Sequence, residues 1–132
     1  MTTAYLDDLY RTPGPVLVAR LNAGFPASVF PALAARLSLS TKGLARALGI
    51  SDRTLRNRSG KLTGDEAERS FRAYRVFRRA VEVLGSEPAA TAWLGTPQIA
   101  LGEKKPIEFL QRDVGANEVL DVLSGIEDGG YL

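Results

Sequence analysis

The sequence predicts an all-α protein in which an N-terminal helix-turn-helix bundle is joined by one long helix to a small helical C-terminal domain. Apolar residues recur at helical spacing along most of the chain, and no segment shows the two-residue alternation of a strand. Serine or threonine precedes these segments and glycine follows them, as at helix ends. The longest segment extends from Thr63 to Leu84, which predicts the connecting helix.

The first 25 residues give the weakest pattern, and the sequence assigns no role to them. A short helix from Val16 to Ala23 is predicted to end at Gly24. The next helix is predicted to follow an N-cap at Ser28, which leaves Pro31 in the first turn, where proline is tolerated.

Two short helices joined by a tight turn are predicted to follow Ser40. Ser40 and Ser51 occupy N-cap positions, and Gly49 lies where the first helix ends in a left-handed conformation. The spacing of Ala45, Gly49 and Leu55 is that of a helix-turn-helix.

The second of these helices carries side chains that can contact phosphates and base edges. The residues predicted to bind DNA are Arg53, Thr54, Arg56, Asn57, Arg58 and Lys61. A helical hairpin in an ordinary core, with a solvated basic face, is the alternative. The motif alone leaves both interpretations open.

The connecting helix is predicted to begin with a capping box, Thr63 and Glu66. Its main buried face comprises Ala67, Phe71, Tyr74, Phe77, Val81 and Leu84. A second, narrower apolar stripe comprises Ala73, Val76, Ala80 and Val83. The second stripe is predicted to pack against a second copy or against the other half of the chain. A third stripe is either solvated or in contact with phosphates or acids, and comprises Arg72, Arg75 and Arg79.

The C-terminal half is predicted to hold short helices separated by glycine and proline turns. Ser86 starts a helix that reaches Trp93, which is expected to anchor a small core, a partner contact being the alternative. Ile99 is expected to be buried in the next loop, and Pro106 to begin another helix. Gly115 is predicted to interrupt the chain before the last helix.

Composition excludes several classes of protein. The chain has no cysteine and no histidine, which removes disulfides, thiolate metal sites and the commonest general base. Since there is also no glycine-rich phosphate loop, we expect no catalysis, no cofactor and no metal site. The chain starts without a signal-peptide pattern, and no apolar run approaches the roughly 18 residues of a membrane helix. These observations predict a cytoplasmic protein that does not enter a membrane.

Charge is divided unevenly along the chain. From Arg36 to Arg79, twelve basic and four acidic residues give a local net charge of +8. From Ala80 onward, three basic and nine acidic residues give −6. A basic half that holds a helix-turn-helix indicates a polyanionic partner, and an acidic half indicates a different, basic partner. Chance segregation of charge in a small protein is the alternative.

Four motifs in the C-terminal half occur together and in order. They are Ala92-Trp93-Leu94-Gly95-Thr96-Pro97, Ala100-Leu101-Gly102, Pro106-Ile107-Glu108-Phe109-Leu110, and Gly115 followed by Val119 to Ile126. This half resembles the toxin-binding domain of Xre/MbcA/ParS-type antitoxins. Upstream, Leu48-Gly49-Ile50-Ser51 with Arg53-Thr54-Leu55 resembles the Xre-like helix-turn-helix that precedes that domain. The family often has a second glycine after Gly102, where this chain has Glu103, and an apolar residue where it has Arg58.

The resemblance implies a protein partner. Antitoxins of this kind neutralise RES-domain toxins, which act on NAD-like substrates, by covering the active site with their C-terminal region. The residues implied to bind the toxin are Pro106, Leu110, Glu127, Asp128, Tyr131 and Leu132. The carboxylates would replace substrate phosphates, and Tyr131 would stack in a ring-binding slot. A frayed tail is the alternative for these last residues.

These observations predict an antitoxin in two parts. Residues 1–84 would form the helix-turn-helix and dimerisation region, and residues 85–132 the toxin-binding domain. The expected partners are the cognate RES-domain toxin and the operator DNA of its own operon, in a hetero-oligomer built on a homodimer. A helix-turn-helix transcriptional regulator without a toxin partner is the alternative.

Overall fold

The computed structural model describes residues 3–56 and 60–129, and these residues confirm the predicted all-α class. The helices are α1 (Ala4–Tyr10), α2 (Gly14–Ala23), α3 (Val29–Arg36), α4 (Thr41–Leu48), α5 (Asp52–Arg56), α6 (Gly64–Leu84), α7 (Glu87–Leu94) and α8 (Asp113–Glu127). Two 3₁₀ turns cover Ile99–Leu101 and Pro106–Phe109. The chain forms two compact units, Met1–Phe71 and Arg72–Leu132, so that α6 contributes residues to both.

A two-residue ladder joins β1 (Phe25–Pro26) to β2 (Lys61–Leu62), antiparallel and with Phe25 opposite Leu62. The sequence pattern does not predict this ladder, because two residues are too few to show a strand period. Gly24 precedes β1 with a φ of 84°, and a Cβ at that position would lie 2.4 Å from the carbonyl oxygen of Leu62. Glycine is therefore required for the two segments to approach this closely.

The predicted ends of α4 and α5 are confirmed at the level of individual atoms. Ser40 Oγ accepts a hydrogen bond from the Gly43 amide at 2.9 Å, and Gly49 ends α4 with a φ of 70°. Ser51 Oγ accepts from the Thr54 amide at 3.0 Å. The prediction for Ser28 is correct in position only, since its side chain makes no capping hydrogen bond.

Helix α1 belongs to the core of the N-terminal unit, a role that the sequence pattern does not assign to it. Leu6 and Leu9 are both fully buried. Arg36 of α3 donates hydrogen bonds to Thr3 and to Asp7. Because α3 packs against α4, the helix-turn-helix rests on a core that includes the first helix of the chain.

The two apolar stripes of α6 are buried as far as Ala80, whereas Val81, Val83 and Leu84 at the end of the helix are only partly buried. Ala67, Tyr74 and Phe77 of the main face have no exposed surface, and Ala73, Val76 and Ala80 of the second stripe have none either. Residues of the same chain therefore cover the second stripe at these positions. The alternative in which a second copy packs against this part of the stripe is wrong, because a covered side chain offers a partner no surface.

Two predictions for the C-terminal unit are wrong. Gly115 does not interrupt the chain but lies inside α8, where a Cβ would come within 2.0 Å of the carbonyl oxygen of Phe109. Its lack of a side chain serves close packing of the helix against the preceding turn. Ile99 is not buried but 85% exposed, whereas Leu101 two residues later is buried as expected.

None of the helices in residues 3–56 and 60–129 has both the length and the apolar character needed to span a bilayer.

Candidate functional site

Helix α5 presents two arginines to solvent. Arg53 and Arg56 are exposed on α5, and Lys61 is exposed on β2. Thr54 is only half exposed, and its hydroxyl accepts a hydrogen bond from Ser51 Oγ at 2.8 Å, so its side chain is partly engaged within the cap. The remaining predicted DNA contacts, Asn57 and Arg58, lie outside the described residues. Arg53 and Arg56 are thus exposed on α5 and available to a polyanion.

A residue that sequence spacing does not reveal holds the turn before α5. Arg69 of α6 donates from Nη1 to the carbonyl oxygens of Leu48 at 3.0 Å and Gly49 at 3.1 Å. These carbonyls belong to the end of α4, where cationic donors are favourable. Arg69 therefore positions the helix-turn-helix rather than serving only as part of a basic surface. Its partners are 20 and 21 residues earlier in the chain, a separation that no local pattern detects.

In the C-terminal unit, Arg72 ties the turn before α8 to α6. Its Nε donates to Asp113 at 2.8 Å, and its Nη1 donates to the carbonyl oxygens of Leu110 at 3.2 Å and Gln111 at 2.8 Å. The side chain is only 10% exposed. For Arg72 the contact to an acidic residue, rather than the solvated face, is therefore the correct alternative.

Arg79 makes the equivalent contact at the far end of α8. Its guanidinium donates to both carboxylate oxygens of Glu127, at 2.7 and 3.2 Å, and also lies 3.5 Å from Glu82. Hydrogen bonds and charge from Arg79 lower the pKa of Glu127 below its ordinary value. This bidentate pair fixes the last turn of α8, from which the final residues of the chain continue.

The residues implied to bind a toxin are found in different environments. Leu110 has no exposed surface and Pro106 is also buried, so that either could support binding only by holding the surrounding surface in place. Glu127 is partly exposed and paired with Arg79, and Asp128 is exposed. The last two, Tyr131 and Leu132, lie outside the described residues.

The C-terminal unit also has an apolar groove of about 610 Å³, called here the Ile99 groove. It is lined by Trp93, Pro97, Gln98, Ile99, Ala100, Val122 and Ile126. Trp93 is half buried, so that it takes part in the core of the unit and in the groove wall together. Sequence reasoning misses this groove because it places Ile99 in the interior.

Comparison with known families assigns each half of the chain. Residues 16–85 match the antitoxin Xre-like helix-turn-helix domain, and residues 79–129 match the antitoxin Xre/MbcA/ParS C-terminal toxin-binding domain. The chain belongs to the Xre family of antitoxins. An Antitoxin Xre from Yersinia enterocolitica is 34% identical over 122 residues, which cover 89% of this chain and 82% of that protein. An Antitoxin Xre from Photorhabdus laumondii is 32% identical over 120 residues, with 88% and 81% covered.

The Ile99 groove and the Arg79–Glu127 pair both belong to the toxin-binding domain of this antitoxin. All residues that line the groove, and both members of the pair, lie within residues 79–129. Glu103, at the position where the family often has glycine, has a φ of 66°. Glycine enters this left-handed region without strain, which explains why it is common there.

The Arg79–Glu127 pair can be tested through the pKa of Glu127. Replacing Arg79 with methionine should raise the pKa of Glu127 toward its ordinary value of 4.5, because the hydrogen-bonding cation is gone. A carboxyl whose pKa is lowered by folding stabilises the fold above the unfolded pKa, and this stabilisation is lost as pH falls through the folded pKa. The difference in stability between wild type and variant should therefore vanish in acid. Titration of the Glu127 carboxyl by carbon-13 NMR measures the shift.

Arg75→Met is the matched control, since Arg75 is an exposed arginine on the same helix. It should leave the pKa of Glu127 unchanged. An unaltered Glu127 titration in Arg79→Met would show that the pair does not persist in solution.

Proposed function

We propose that this antitoxin neutralises a RES-domain toxin by covering its active site, and that it represses its own operon by binding operator DNA through α5. One observation carries the proposal: a single chain joins a helix-turn-helix with exposed arginines to a toxin-binding domain, in two compact units. Two units allow two partners to be bound by separate surfaces.

The DNA-binding half of the proposal is supported by the side chains on and around α5. Arg53 and Arg56 are exposed, and the turn that aims α5 is held by Arg69. These residues lie in the segment of local net charge +8, which favours binding to the phosphate backbone. Two copies would match two half-sites about one helical turn apart. Their contact would have to use a surface other than Val76 and its buried neighbours on α6.

The toxin-binding half is supported by the chemistry of the chain end. Glu127 and Asp128 supply negative charge at the end of α8, and Tyr131 supplies an aromatic ring three residues later. A site that holds a NAD-like substrate needs groups that bind phosphates and a slot for a planar ring. Because Arg79 anchors Glu127, the last turn of α8 is held while the residues after it enter the toxin. Asp128 is exposed, and its carboxylate, rather than that of Glu127, is then the one suited to imitate a phosphate.

The test is a truncation assayed together with the cognate RES-domain toxin, which we expect the neighbouring gene to encode. Deleting Gly130 to Leu132 should leave a complex that still co-purifies, because the packed helices of the toxin-binding domain lose less conformational entropy on binding than a tail does. The truncated antitoxin should nevertheless fail to rescue growth, since the active site is left open.

A full-length variant separates chain length from side-chain chemistry. Tyr131→Ser with Leu132→Ser keeps the length and should lose rescue as the truncation does. Full rescue by the truncation would contradict the proposed blocking of the active site. If no neighbouring toxin binds the full-length protein, the alternative of a transcriptional regulator without a toxin partner is favoured instead.

A further inference from the structure

Ile99 is held in solvent by an ordered loop. The Gln98 amide donates to the carbonyl oxygen of Lys104 at 3.0 Å, and the Glu103 amide donates back to that of Gln98 at 2.9 Å. The side chain of Gln98 donates to the carbonyl oxygens of Trp93 at 3.2 Å and Thr96 at 3.0 Å. The loop therefore satisfies its own backbone, and its shape does not depend on the isoleucine at its tip.

The conformation of this loop exposes Ile99 and buries its neighbour. Gly102 and Glu103 both have left-handed backbones, with φ of 70° and 66°, and together they reverse the chain. Leu101 faces the core and is 7% exposed, whereas Ile99 is 85% exposed. Isoleucine and leucine side chains have the same apolar bulk, so a loop that only closed the core would gain stability by burying Ile99 as well. Apolar side chains exposed singly are ordinary, but Ile99 adjoins the groove lined by Trp93 and Ile126 and forms one apolar patch with it.

The groove beside Ile99 is apolar and open. Trp93 and Pro97 form one side and Val122 and Ile126 of α8 form the other. Glu118, which is exposed, precedes Val122 by four residues and so lies one helical turn away on the same side of α8. The groove thus combines an apolar floor with an acidic residue at its edge, which suits an apolar side chain flanked by a basic one.

We propose that the Ile99 groove is the anchoring site for the cognate toxin and takes an apolar protrusion of the toxin surface with a basic residue beside it. This inference rests on the proposed function, and it separates anchoring from inhibition: the groove supplies affinity, and the C-terminal end blocks the active site. The toxin is the occupant because every lining residue lies in the toxin-binding domain at residues 79–129.

The experiment compares two exposed apolar residues, one in the groove and one outside the toxin-binding domain. Ile99→Asp should weaken binding of the purified RES-domain toxin about 10- to 100-fold, as expected for losing one buried isoleucine at an anchor and placing a carboxylate there. Val18→Asp, at a residue of α2 that is 58% exposed and lies outside residues 79–129, should change the affinity less than threefold. Isothermal titration calorimetry at low and at 0.5 M sodium chloride measures both; the loss should persist in salt, because the contact is apolar. Thermal melting of each variant checks that the fold is intact.

A second readout uses the single tryptophan of the chain, Trp93, which lines the groove. With 5-fluorotryptophan incorporated into the antitoxin alone, fluorine-19 NMR should show one resonance that shifts when unlabelled toxin is added. The Gly130 to Leu132 truncation should give the same shift, since anchoring does not require the chain end.

The outcomes distinguish this inference from the proposed function. If the wild type and Ile99→Asp bind the toxin equally, the groove is not the anchor although the proposed function stands. The same conclusion follows if Val18→Asp loses as much affinity as Ile99→Asp. If Ile99→Asp changes the oligomeric state of the antitoxin alone and leaves toxin affinity unchanged, the groove belongs to a contact between copies and the inference is overturned. If no RES-domain toxin binds the wild type, both the proposed function and this inference are wrong.

Discussion

Replacing Val76 with glutamate should unfold the antitoxin or lower its thermal midpoint by tens of degrees. Val76 lies in the middle of α6 and has no exposed surface, as do its stripe neighbours Ala73 and Ala80. A carboxylate at this position would lose its hydration among the apolar side chains that surround it. Burying a charge without an opposite charge beside it destabilises a protein by about 3–5 kcal/mol. A small domain has a total stability of about 5–15 kcal/mol, so the loss is a large fraction of the whole.

Arg75→Glu is the matched control, since it introduces the same side chain one position earlier, where the residue is exposed. Circular dichroism melting should show little change for Arg75→Glu, within about 0.5 kcal/mol. If Val76→Glu melts like wild type, then α6 does not bury this stripe in solution, and the possibility of a contact with a second copy is restored.

Replacing Arg53 and Arg56 together with alanine should abolish specific binding to operator DNA. Both side chains are exposed on α5, and each base-reading contact contributes roughly 1–3 kcal/mol, so that losing two weakens binding by about 30-fold to more than 10⁴-fold. Neutralisation of the toxin should be unaffected, because the toxin-binding domain is residues 79–129. Gel-shift titration at fixed salt on the promoter upstream of the antitoxin, beside growth rescue with the toxin, measures both activities.

The control for this double variant removes the same charge elsewhere. Arg11→Ala with Arg75→Ala deletes two exposed arginines that are on neither helix of the helix-turn-helix. It should weaken DNA binding only slightly, through the general electrostatic attraction. Equal losses in the two double variants would mean that α5 makes no specific contact, and unchanged binding by Arg53→Ala with Arg56→Ala would exclude α5 from the interface.

Local patterns predicted the elements of this protein well. Ser40, Gly49 and Ser51 are where helix ends were expected, because capping depends on a side chain and on backbone groups only a few residues away. Periodicity likewise identified the buried positions of α6, Ala67, Tyr74 and Phe77 among them. The prediction that Ile99 is buried is wrong. An apolar side chain tends to be buried, but the sequence does not show whether the loop that carries it lets the side chain reach the core.

Contacts distant in sequence account for what local patterns missed. The sequence identifies Arg69 only as a basic residue, and it leaves open whether Arg72 and Arg79 contact acids or solvent, whereas each of the three has a partner 20 to 48 residues away. The sequence also predicts a break at Gly115, because it does not show that the backbone of Phe109 lies against this glycine. In each case the information needed is which surfaces meet after folding.

The sequence alone establishes that this chain is helical, where α4 ends and α5 begins, that a basic half precedes an acidic half, and which family it resembles. These properties follow from the chemistry of neighbouring residues and from composition, which do not require a three-dimensional arrangement. Only the tertiary structure decided which apolar residues are covered and which remain open. It buried Val76 and Leu110, exposed Ile99 beside Trp93, and paired Glu127 with Arg79. Burial and ion pairing depend on the distance between groups far apart in the chain, and that distance exists only once the chain has folded.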